Sequence, residues 1–221
     1  MILIDLHPRI VENKDWATLV FMMALALIVL AKSNFENRFS DFVRLLISDK
    51  YMKIYRDSSN LMSGFAILFF IVNMISLSFF IQLVLVHFGY GLKTDWVLFI
   101  RIFTLLNVFI VCKFLVEKII GTTFGVEDVV EEFNLQKVSF RTFTGMLLLP
   151  VSTILFYGNY STNLIILSII SILLLINAVT YLISLRNYQN LLIGKLFYFI
   201  LYICALEIGP YYFIYYLIKK N

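Results

Sequence analysis

The stretch "LYICALEIGPYYFIYYLIKK", residues 201–220, places one carboxylate, Glu207, in an apolar run three positions before Pro210. In hydrocarbon an isolated acidic side chain costs about 2.5–3.5 kcal/mol on insertion-type scales, so it turns inward, takes up a proton or finds a cation. Tyr211 follows four positions later and shares a helical side with Glu207 if the helix continues. Gly209 and Pro210 form a candidate kink, since proline removes one backbone donor and leaves a carbonyl of the preceding turn seeking another partner. Three roles stay open for Glu207: polar glue between helices, a lock facing a partner, and a step on a proton or substrate path. A path that used one acid without a second acidic partner would be unusually sparse.

Other polar residues fall at similar depths. Asn73 lies 12 residues beyond Leu61, as Glu207 lies 12 beyond Lys195, about 18 Å along a helix in each case. Asn107 falls near the middle of its own apolar run, so Glu207, Asn73 and Asn107 form a candidate intramembrane polar cluster. Lys113 and Glu117 have the i,i+4 spacing of a helical ion pair. Arg101 and Lys113 are the cations nearest to Glu207, each displaced towards a membrane edge. Pro150 marks a second candidate kink. Arg38, Arg44 and Arg56 are candidate contacts for lipid headgroups, although acids are interleaved with them.

Patterns for catalysis are lacking. His7 and His87 begin no metal-ligand spacing, and Cys112 and Cys204 suit small buried hydrophobes better than a disulfide. No Walker loop, HExxH pattern or GxSxG elbow occurs. The expectation is therefore a chain without a catalytic set, metal or cofactor. Membrane enzymes often lack a short universal motif, so a lipid-modifying enzyme stays as a third reading.

The elements that must position these residues follow from hydropathy. Of 221 residues, 61% are hydrophobic and 14% charged, against roughly 25% charged in ordinary soluble domains. Apolar runs long enough to span a bilayer predict an all-α, polytopic membrane bundle. Six helices are expected, over about 16–31, 61–88, 96–120, 142–157, 163–185 and 195–218, in a single domain covering 1–221. Residues 35–55 repeat Phe35, Phe39, Phe42, Val43, Leu46 and Ile54 near helical spacing, predicting a helix on the cytoplasmic membrane surface or a docking helix for a partner. Residues 126–136 concentrate carboxylates in a short acidic cytoplasmic helix, better suited to a solvated face than to a binding site.

Charge sets an orientation. The connections 32–60, 118–141 and 186–195 carry eleven Lys and Arg residues, and the opposite side carries five. That bias predicts both termini outside the cytoplasm. The opening "MILIDLHPRIVENKDW" lacks a basic n-region and cleavage site, so the first helix is expected to serve as an uncleaved insertion signal. The net charge of +4 comes from loops and helix ends and does not point to nucleic acid.

A helix beginning at Trp16, the aromatic and basic 1–2 connection, and the terminal "KLFYFILYICALEIGPYYFIYY" together resemble a small Bacteroidota inner-membrane family of unknown function. The resemblance spans nearly the whole chain and implies a bacterial inner membrane; it carries no catalytic residues to transfer. The resulting expectation is a non-enzymatic membrane subunit, or an assembly or stabilising factor, that contacts lipids and a membrane-protein partner. A small proton-coupled transporter or channel using Glu207 is the alternative.

Overall fold

The computed structural model describes residues 14–45, 51, 54–55, 63–123, 125, 127–158 and 163–187. Among them run six helices: α1 (Asp15–Asn34), α2 (Glu36–Val43), α3 (Gly64–His87), α4 (Trp96–Thr123), α5 (Glu127–Tyr157) and α6 (Asn163–Asn187). No strand occurs among the described residues. Five helices are long and apolar enough to cross a bilayer, all but α2. The chain is a multi-pass, all-helical membrane protein whose spans contact lipid. The expected sixth span, 195–218, lies outside the described residues.

α3 is the central post, packed against α1, α4 and most extensively α5. Its apolar residues run all round, which suits a helix buried on several sides. Ser63 starts it, its hydroxyl accepting from the Ala66 N–H. α1 turns a seam of Ala17, Phe21, Ala24 and Ala31 inward, with the alanines at the heptad spacing that lets two backbones approach.

The expected boundary between the acidic helix and the fourth span does not exist as a break. Both belong to the continuous α5, which runs through Pro150. Proline lacks the N–H that would serve the Met146 carbonyl, but the helical pattern on either side persists.

Two aromatic clusters brace the bundle at opposite ends of α3. One joins Phe21, Phe79, Phe99 and Phe156, with Trp16 against it. The Phe21 and Phe79 rings stack at 4.1 Å between centroids, slightly closer than the roughly 4.5–7 Å usual for aromatic pairs. The other joins Phe42, Tyr51, Phe65, Phe69 and Phe143. These contacts show α3 and α5 running in the same direction, with α4 returning between them.

The apolar side of the 35–55 segment is largely taken up by the second cluster. Phe42, Leu45 and Tyr51 are buried, and Phe35 and Phe39 pack at its margin. Val43 and Ile54 stay exposed. The described residues of the segment thus pack part of its apolar side on α3 and α5.

Candidate functional site

Between the aromatic clusters, α3 and α5 enclose a polar belt. Asn73 is fully buried at the middle of α3, beside Ser76. Across the interface stands Gly145, and the glycine is what permits the approach. A Cβ there would overlap Asn73 Oδ1 and lie 2.8 Å from the Asn73 Cα. Ser152 is fully buried two turns further along α5. The Asn73 amide nitrogen and oxygen and the Ser76 and Ser152 hydroxyls have no hydrogen-bond partner among the described residues. Ser78, by contrast, donates to the Met74 carbonyl at 2.7 Å.

A charged cluster occupies the end of the bundle where α4 finishes and α5 begins. Glu117 is buried, with Lys137 Nζ 3.3 Å and Lys113 Nζ 3.9 Å from its Oε1. The tighter partner is on the neighbouring helix, so the pairing ties α4 to α5 as well as bridging one turn of α4. Lys137 was not anticipated: it lies twenty residues from Glu117 in a segment whose charge pattern suggested only solvent exposure.

On the same side, α2 delivers Arg38 into an aromatic box. The guanidinium sits 4.6 Å from the Tyr55 ring centroid and 5.0 Å from that of Phe65. Its Nη1 donates to Ser63 Oγ at 2.8 Å and its Nε to the Tyr51 hydroxyl at 3.4 Å. Burial pushes the Tyr51 phenol up, against the opposing pull of Arg38 and Ser139. Arg38 was expected at lipid headgroups; only 8% of it is exposed, and it fastens α2 to the start of α3. Arg44 is exposed, and Arg56 lies outside the described residues.

The remaining candidates separate. Asn107 is half-buried on α4 and donates to the Phe103 carbonyl of its own preceding turn at 2.8 Å. Glu207, Gly209 and Pro210 lie outside the described residues. Arg101 points outward from α4, exposed, without a hydrogen-bond or ion-pair partner among the described residues. Val97, Ile100, Leu105 and Val108, all exposed, surround it.

Neither Ser76 nor Ser152 has a base as a hydrogen-bond partner among the described residues, so neither is arranged as an activated nucleophile. No three His, Cys, Asp or Glu side chains converge into a possible metal site among the described residues. Among the described residues the molecule presents a buried polar belt inside and, on the apolar outward side of α4, the exposed cation Arg101.

Residues 17–218 match the family model of a domain of unknown function (DUF4271). No curated protein and no solved structure matches the chain.

Proposed function

We propose, from the premise that the chain belongs to the DUF4271 family, that it is a non-enzymatic subunit or assembly factor of a larger membrane complex. The docking surface is the outward side of α4, and the observation that carries this reading is Arg101. It lies five positions beyond Trp96, which puts its backbone about 7–8 Å inside the helix start. A permanently charged guanidinium facing hydrocarbon is costly unless it is matched. A neighbouring membrane helix with a carboxylate at that depth would match it, and Val97, Leu105 and Val108 would pack beside the pair. The proposed setting is a bacterial inner membrane of the Bacteroidota with both termini on the periplasmic side.

Snorkelling of the Arg101 stem to the nearby headgroups is the rival explanation. The two differ in what Arg101→Leu does. Docking predicts that the variant inserts at normal abundance and loses its co-purified partner in mild detergent. Retention of that partner at the wild-type ratio contradicts docking by Arg101.

The transporter alternative draws on one different observation, the unpartnered polar belt of Asn73, Ser76 and Ser152. A conformational change that opened the α3–α5 contact would offer those groups to a small polar solute. It requires substrate flux that survives Arg101→Leu and is lost in Glu207→Gln; flux unaffected by Glu207→Gln removes it.

A further inference from the structure

The connection between α3 and α4 is turned inside out. Its polar groups face the protein. Gln82 Nε2 donates to the carbonyls of Asp95, Lys93 and Leu92, at 2.9, 3.3 and 3.5 Å. Trp16 Nε1 donates to the Thr94 carbonyl at 3.1 Å. Lys93 Nζ reaches the Leu155 and Gly158 carbonyls, both at 3.3 Å, where a cation suits the end of α5. The Asp95 carboxylate accepts the N–H groups of Val97 and Leu98 at the start of α4. Its apolar groups face away: Phe88 is 66% exposed, Tyr90 70%, Leu92 66% and Trp96 58%.

The backbone holds that arrangement. The Tyr90 N–H donates to the Leu85 carbonyl and the Gly89 N–H to the Val86 carbonyl, with Gly89 at φ +87°. This is the Schellman pattern of a helix stopped by a left-handed glycine, and it directs Phe88 and Tyr90 outward. Gly91, at φ +105°, makes the second reversal, and a Cβ there would come within 2.9 Å of Leu98 Cδ2. A tethered loop that showed these side chains to water would lose the benefit of burying them. It joins two membrane spans over only a few residues, so it sits at the edge of the bilayer, where aromatic side chains concentrate.

We propose that Phe88, Tyr90 and Leu92, together with Trp96, form a rigid anchor seated in the headgroup layer at this end of the bundle. Lipid fits better than a protein partner: three loop side chains are too few for a specific protein interface, which takes roughly 20–30 residues a side. Tyrosine and tryptophan also suit a layer that is apolar on one side and wet on the other.

The test is spin-label accessibility in the full chain, with Cys112 and Cys204 replaced by alanine. A nitroxide is attached at Tyr90→Cys, or at Leu92→Cys should the first variant fold poorly, and the protein is reconstituted in phosphatidylcholine vesicles. Collision with oxygen, which partitions into lipid, is expected to exceed collision with a water-soluble nickel chelate, with a loss of nickel access relative to the same label in detergent-free aqueous peptide. Nickel collisions exceeding oxygen collisions would place the loop in water and overturn the anchor. Low collision rates with both reagents would show the loop covered by protein, either this chain or a second copy of it, which overturns the anchor as well.

Discussion

Gly145 has the most to lose from a single methyl group. Alanine there would gain about 1 kcal/mol in helix propensity. Its Cβ, however, meets the Asn73 backbone as well as the side chain, so no rotamer change relieves the overlap. Overpacking of this kind costs typically about 1–3 kcal/mol. Gly145→Ala is therefore expected to lower the thermal midpoint in detergent despite the better helix former, and an unchanged or raised midpoint would show that α3 and α5 do not cross there. Asn73 stood out in the sequence because an amide at mid-span is unusual. Gly145 did not, since one glycine near the start of an apolar run carries no sign of what it faces. Lys137 was hidden for the same reason: its partner, Glu117, is set by two helices meeting.

The helices were legible by length and hydropathy, and their orientation about their own axes was not. α3, α4 and α6 are apolar almost all round, so periodicity does not mark the inward side. In α1 the marker is size: Ala17, Ala24 and Ala31 recur at sevens on the packed face. The junction of the acidic stretch with the following span was hidden because the charge-rich turns and the apolar turns differ in composition while sharing one helix, α5. At the other end of α5, Lys93 holds the last carbonyls from a neighbouring loop. Lys93→Met is expected to cost about 0.3–1 kcal/mol, the usual worth of a cation at a helix C-terminus. Amide hydrogen exchange should accelerate over residues 154–158 and leave the first turns of α3 unchanged. Uniform acceleration through the bundle would mean that Lys93 supports the whole fold.

At the scale of the molecule, α3 stands within a protein shell, while α4 and α6 leave wide apolar surfaces outward. Lipid covers such surfaces readily. An unmatched arginine among them is what lipid accommodates poorly, and Arg101 is the feature that turns a stable bundle into a candidate subunit. The most direct test is affinity purification of the full chain from native membranes in mild detergent, followed by intact-complex mass measurement of wild type and Arg101→Leu. A heteromeric complex of defined mass for the wild type, reduced to the lone chain in Arg101→Leu, is the predicted result. A monomer or homo-oligomer for the wild type would contradict it.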